Sequence, residues 1–405
     1  MKFILVTACF IILIFSECLS RETEQLKLGI DLVVENKFEI FKNKRVSILT
    51  NNTGRTSHGS LTIEEFLKTN KCSVISIFTP EHGFDTKAPA GKHVPNDTIY
   101  DLPCYSLYGE NRRPTKKQLE GTDIVVIDIQ DIGIRSYTYI STIFKMMDAA
   151  AEFGKQVCIL DRPNPLGGIA VDGNTVEKGM ESFVGIIPVA YIHGCTIGEL
   201  ANMINEEGWL PNGKDGLPRK CNLTIIKMEY WSRDMVWENT GLDWYPTSPN
   251  IQSIDAIRGA AMTGIFGELG IFPIGIGGGM PFQFIGKVNL NELKKKNDDI
   301  EFPGIKLSQF VTKLSNGIKI DFENDDNFAP YTAGIKLFLA IRKAYPDMFS
   351  KPKIKSAKKG MFEKVTGTKK LYNALFDGGT DAEVLDICRE GFDEYMILRS
   401  RYLLY

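Results

Sequence analysis

The chain carries almost no excess of charge: 48 Lys and Arg stand against 50 Asp and Glu, a net charge of −2 over 405 residues. With no basic tail or face, a nucleic-acid partner is not expected. A dinucleotide site needs Gly-x-Gly-x-x-Gly directly after the first strand, and the loop there reads Asn51-Asn52-Thr53-Gly54-Arg55. Gly275 to Gly279 is dense in glycine but runs into Met280-Pro281, which does not open a phosphate-binding helix. There is no Gly-x-Ser-x-Gly elbow, no zinc-like histidine spacing and no Cys-x-x-Cys pair. Beyond residue 20 the cysteines are Cys72, Cys104, Cys158, Cys195, Cys221 and Cys388, without regular spacing. These absences point away from an esterase, a metal site, a bound cofactor and a disulfide framework. Cys72 and Cys158 border apolar runs and read as inert buried thiols.

The only long apolar run lies at the start. Lys2, the stretch Phe3 to Phe15 and the small residues of Ser16-Glu17-Cys18-Leu19-Ser20 form a secretory leader cleaved after Ser20. The run is shorter than the ~20 residues of a membrane span. The expected address is periplasmic or secreted, without stable membrane insertion. A lipid anchor at Cys18 is disfavoured by Phe15-Ser16-Glu17 before it.

The remainder, in a chain with 43% hydrophobic residues, is long enough for two domains. Strand-length runs at Arg45–Thr50, Val74–Phe78, Tyr105–Tyr108, Asp123–Ile129 and Val157–Leu160 alternate with helical patterns at Ser60–Asn70 and Tyr139–Gly154. A further unit pairs a strand over Gly185–Ala190 and a helix over Thr196–Glu207, opened by a Thr196/Glu199 capping box, with a strand over Leu223–Met228. The pattern predicts an α/β fold, a Rossmann-like doubly wound parallel sheet over residues 21–240. After it the Gly- and Ala-rich stretch Gly259–Gly279, a lysine-rich turn at Lys294–Asn297 and a helix over Tyr331–Ala344 suggest a smaller α+β auxiliary domain over 241–405. Trp244 to Asn250 is either the linker or the last loop of the first domain.

Ligands of open parallel sheets bind beyond the carboxyl ends of the strands. Four polar loops stand there: Asn51-Asn52-Thr53-Gly54, Pro80-Glu81-His82-Gly83, Gln130-Asp131-Ile132-Gly133 and Asp161-Arg162-Pro163-Asn164-Pro165. Glu81, flanked by Phe78 and Phe84, would be desolvated enough to hold a proton and act as a general acid, with His82 beside it; the bland alternative is a turn-capping Glu and a structural His. Asp128 and Asp131 are candidate second carboxylates, with Gln130 between them. Arg135, Tyr137 and Tyr139 offer a guanidinium and two hydroxylated rings suited to a sugar bearing a carboxylate, unless Arg135 pairs with Asp131 and the tyrosines only pack. Asn52, Asp161, Arg162, Asn164 and His193 complete the candidate substrate contacts, with a structural turn as the competing reading for Arg162 and Asn164.

The motifs Pro80-Glu81-His82-Gly83-Phe84, Leu107-Tyr108-Gly109, Asp128 to Gly133 with Arg135 and Tyr137-Thr138-Tyr139, Leu160 to Gly168, and His193-Gly194 with Thr196 to Ala201 resemble the exo-β-N-acetylmuramidase (NamZ) family. The resemblance implies a Rossmann-like domain with an auxiliary domain, acting on peptidoglycan-derived amino sugars and releasing N-acetylmuramic acid from the non-reducing end. It also implies that Glu81 is the catalytic glutamate. Two departures stand out: Asp172-Gly173-Asn174 where the family tends to Glu-Gly-Pro, and Gly264 to Gly270 where Glu-Gly-Thr-Asn is usual. The second falls where the cleft is expected to close, so a catalytically silent wall-fragment binder is the alternative reading. A glycosidase needs a second group, and Asp128, Asp131, Asp161 or the acetamido group of the substrate can supply it.

Overall fold

The structure is a computed structural model that describes residues 25–297, 301–313, 315–323, 325, 328–349 and 354–405. The expected leader and Cys18 lie outside the described residues. Among those described, no helix is long and apolar enough to cross a membrane.

Seven strands form the main sheet: β1 (Arg45–Thr50), β2 (Ser73–Thr79), β3 (Asp97–Ile99), β4 (Leu102–Ser106), β5 (Ile124–Asp128), β6 (Gln156–Leu160) and β7 (Asn222–Ile226). Their order is β3-β4-β2-β1-β5-β6-β7, parallel throughout except for the β3/β4 hairpin. The chain starts at the centre, winds outward through β2 and β4, then returns to β5 on the other flank of β1. That reversal puts a crevice between the carboxyl ends of β1 and β5, where Thr50 pairs with Asp128.

Side-chain alternation sorts each central strand between two cores. Leu49, Val125, Ile127, Val157 and Ile159 face α3 (Tyr139–Glu152) and α4 (Ile197–Glu206). Val46, Ile48, Ile124, Val126, Cys158 and Leu160 face α1 (Gly29–Glu35) and α2 (Thr62–Lys68). Burial on both faces explains why these strands read as unbroken apolar runs, each large aliphatic side chain contributing about 1.5–3 kcal/mol. Thr196 caps α4 reciprocally with Glu199, as its spacing predicts. All six described cysteines are free thiols; Cys158 is fully buried, whereas Cys72 is only half-buried.

Two local expectations fail. Residues 185–190 form no strand: Pro188 lacks an amide to donate, and the segment crosses the top of the sheet, where Tyr191 and Ile192 bond to Arg135 and Asp172. The lysine-rich segment is not a turn but the last turn of α6 (Leu290–Lys296), where the lysines meet the partial negative charge of the helix end.

The second unit has a three-stranded antiparallel sheet, β8 (Phe284–Gly286), β9 (Ile305–Val311) and β10 (Asn316–Phe322), in the order β8-β10-β9. Around it pack α5 (Ile254–Leu269), α7 (Pro330–Ala344), α8 (Ser356–Thr366), α9 (Lys370–Phe376) and α10 (Asp381–Ile387). The first half of the Gly/Ala-rich stretch lies in α5, and the rest, through Gly279, is loop. Close packing against α7 requires Gly334, whose Cβ would lie 2.1 Å from the Met262 carbonyl oxygen. This core also takes Ile132, Ile134, Tyr191 and Ile192 from the first unit. In return, α11 (Phe392–Ser400) sends Tyr395 into the first unit's core, and Tyr405 packs on Trp231.

Candidate active site

Glu81 follows β2 and is buried. Its Oε1 accepts from the Gly91 amide at 2.9 Å and its Oε2 from the Thr138 hydroxyl at 2.6 Å. Both carboxyl oxygens are therefore fixed by a donor from a different loop. The Tyr108 hydroxyl lies against the same carboxylate: burial, followed by the Glu81 charge, raises the phenol to about 12, with Arg112 opposing. The backbone at the motif is left-handed, φ +73° at both His82 and Gly83. For His82 this conformation costs about 1–2 kcal/mol, and the His82 ring is held by the Ala88 carbonyl at 2.7 Å.

Next to this carboxylate stand Tyr137 and Tyr139, with ring centroids 4.7 Å apart. Both hydroxyls donate to the Thr247 carbonyl, at 3.0 and 2.7 Å, and the Asn51 amide donates to Tyr139. The Pro246 carbonyl accepts from Thr86. The Trp244–Asn250 segment is therefore stitched to the strand-end loops rather than free. Burial raises both phenols, and the field at Tyr137 includes the Asp131 and Glu81 carboxylates together.

Asp131 Oδ1 accepts from the Gly133 amide and faces His193 Nε2 at 3.7 Å, while its buried Oδ2 has no partner among the described residues. The Cys195 amide donates to His193 Nδ1, which places the ring proton on Nε2, toward Asp131. Burial alone would lower the His193 pKa, but Asp131 and Cys195 outweigh it and raise it to about 9. The amide at Nδ1 opposes the charged form of the ring.

The remaining expected site residues are occupied by the fold. Asp128 is fully buried and binds the Arg162 Nε and Nη2 atoms and the Thr62 hydroxyl, so these two expected site residues are each other's partners. Asp161 accepts from Arg162 N, Gly198 N, Thr196 Oγ1 and Tyr405 Oη, all within 3.0 Å, and burial raises its pKa to about 6. Arg135 neither pairs with Asp131 nor reaches a cleft. Its guanidinium donates to the carbonyls of Asn174, Val189, Val365 and Thr366, tying α8 to the first unit, and burial lowers its pKa to about 10. Asn164 closes a turn with Leu166 and bonds the Cys195 carbonyl. Asn52 accepts from Arg55, and Gln130 donates to the Asp131 and Pro163 carbonyls. At the β1/β5 crevice these loops leave a cavity of about 30 Å³ lined by Thr53, Arg55, Gln130 and Arg162, room for a water but not a sugar.

A mostly parallel sheet with a second, smaller unit is also the architecture of solved relatives. The profile for the N-terminal part of exo-beta-N-acetylmuramidase NamZ matches residues 46–255, and that for the C-terminal part matches 261–405. The chain belongs to the NamZ family. It is 29% identical over 394 residues to the peptidoglycan beta-N-acetylmuramidase NamZ of Bacillus subtilis, covering 94% of this chain and 92% of that protein. Two crystal structures of DUF1343 family proteins from Bacteroides fragilis share the fold over 94% of this chain and 99% of theirs, with TM-scores of 0.85 and 0.69 and identities of 33% and 27%.

The first departure from the NamZ pattern has a structural explanation. Asp172 receives the Thr332 amide and hydroxyl at the start of α7, and Asn174 bonds Tyr331 and Thr366. The second forms the last turns of α5, where Glu268 adds to the charge acting on Tyr191. Sequence reasoning quotes Thr138 and Tyr108 only within motifs, with no role assigned. It does not single out Arg112 or Phe183; their signal is a contact between distant segments that no local pattern carries.

Proposed function

We propose that this NamZ-family chain is an exo-acting glycoside hydrolase that releases terminal N-acetylmuramic acid from the non-reducing end of peptidoglycan fragments, with Glu81 as the general acid. The observation that carries this reading is the grip on Glu81: a buried carboxyl group with both oxygens fixed, by Gly91 and Thr138, at the sheet edge of a family whose Bacillus subtilis relative bears that activity in its name. As the bond to the leaving sugar breaks, the Glu81 carboxyl group delivers its proton to the glycosidic oxygen and positive charge builds at the anomeric carbon. Of the three aspartates considered as the second group, Asp131 is the one with an unpartnered oxygen, whereas Asp128 and Asp161 have both oxygens engaged. In this reading Asp131, its charge backed by His193, meets the developing positive charge directly or orients the acetamido group of the substrate to do so. A secretory leader over residues 1–20 would deliver the enzyme to the periplasm or beyond, where wall fragments are found.

The test is product analysis on a disaccharide from wall digestion with N-acetylmuramic acid at its non-reducing end. Free N-acetylmuramic acid should appear with the wild type and fall at least about 100-fold with Glu81→Gln. Unchanged release by that variant removes Glu81 from the mechanism. Binding without any release would make the chain a fragment binder.

A further inference from the structure

N-acetylmuramic acid differs from N-acetylglucosamine by a lactyl ether that carries a carboxylate, so a selective site needs a cation with free donors. Three arginines at the carboxyl edge of the sheet are already engaged. Arg135 holds four main-chain carbonyls and Arg162 holds Asp128. Arg55 spends its guanidinium on the Asn52 carbonyl, the Gly59 carbonyl and the Asn52 side chain.

Arg112 is different. It is exposed, and its guanidinium carbon stands 4.3 Å from the Phe183 ring centroid and 5.5 Å from that of Tyr108. It makes no ion pair or hydrogen bond with another described residue. Stacking restrains the guanidinium plane and leaves its N–H edge free, the state best prepared for a bidentate carboxylate. The Tyr108 ring that flanks it carries the hydroxyl lying against Glu81. One aromatic side chain therefore separates the proposed proton donor from an unpaired cation.

We propose that Arg112, positioned by Phe183 and Tyr108, binds the lactyl carboxylate of the terminal sugar and sets the preference for N-acetylmuramic acid; this rests on the muramidase reading above. The glycosidic oxygen on C1 and the lactyl ether on C3 project from one sugar ring two carbons apart. A donor and a cation spaced by a single tyrosine match that layout. Phe183 is fixed in the turn that Ser182 and Gly185 close, where its carbonyl accepts from the Ser141 hydroxyl of α3.

The experiment measures calorimetric binding of N-acetylmuramic acid and of its lactyl methyl ester to the wild-type chain, Arg112→Ala and Arg112→Lys, alongside hydrolysis of a chromogenic N-acetylmuramide. The wild type should bind the free acid about 10- to 100-fold more tightly than the ester. Arg112→Ala should lose that preference chiefly through weaker binding of the acid, and Arg112→Lys should keep part of it. A wild type indifferent to esterification, an alanine variant that still discriminates, or equal weakening for acid and ester overturns the assignment. Discrimination that disappears with Arg112→Ala in a chain that hydrolyses nothing supports Arg112 and overturns the hydrolase reading. Hydrolysis with discrimination intact in Arg112→Ala does the reverse.

Discussion

Thr138 donates its hydroxyl to Glu81 Oε2 at 2.6 Å, joining the loop after β2 to the residue that precedes α3. In the proposed mechanism this bond orients the carboxyl group of the general acid, so it affects proton transfer rather than the affinity for the sugar. Thr138→Val, which keeps the shape and removes the hydroxyl, is expected to lower kcat about tenfold while KM changes less than about twofold. Steady-state kinetics on a chromogenic N-acetylmuramide reads both constants; a change in KM alone would assign Thr138 to binding.

Asp131 and Asp128 end or follow the same strand and have opposite expected roles. Asp131→Asn should lower kcat by about 100-fold or more with little change in stability. Asp128→Ala leaves the buried Arg162 charge unpaired and should cost about 3–5 kcal/mol, measured by urea denaturation. Adding Arg162→Met to it should recover part of that loss.

For Arg135 the expected signature is structural. Arg135→Met strands four main-chain carbonyls between the two units and should destabilise the fold by about 2–4 kcal/mol, without altering the ratio of acid to ester affinity. Denaturation and calorimetry on the same variant separate Arg135 from Arg112.

Burial raises the folded-state pKa of Asp161 to about 6, above the ordinary carboxyl value. A raised acid binds its proton more tightly when folded. Its charged form therefore costs stability above about pH 6, and that cost disappears as the pH falls toward about 4. The wild type should gain stability relative to Asp161→Asn over this window, by up to about 3 kcal/mol. Equal pH dependence in the two proteins would mean that the four donors around Asp161 fully compensate its burial.

The parts of the fold that repeat a local rule were readable from the sequence: the apolar strands, α3, the Thr196/Glu199 cap and the polar strand-end loops. The burial of Glu81 is also legible, because a carboxyl group between Phe78 and Phe84 at a strand end is drawn out of water with its neighbours. Partners were not. An arginine that grips carbonyls from residues 174, 189, 365 and 366 has the same local sequence as one that awaits a ligand, so Arg135 and Arg162 were assigned outward when the fold turns them inward. Arg112 carries no local signal for the converse reason, since its setting depends on a phenylalanine 71 positions later in the chain.

The loop after β6 is where distant segments converge. The Gly29 amide bonds the Asp161 carbonyl, the first turn of α4 is held by the Asp161 carboxylate, and Tyr405 reaches the same side chain. The second unit thus departs from the first through the stitched Trp244–Asn250 segment and returns to it through α11, anchored at both its entrance and its exit. A body tethered at two points cannot swing on one hinge without breaking buried hydrogen bonds. The second unit is therefore expected to keep its placement on the first, and movement beside Glu81 is expected of the exposed loop around Gly91, whose amide bonds that carboxylate.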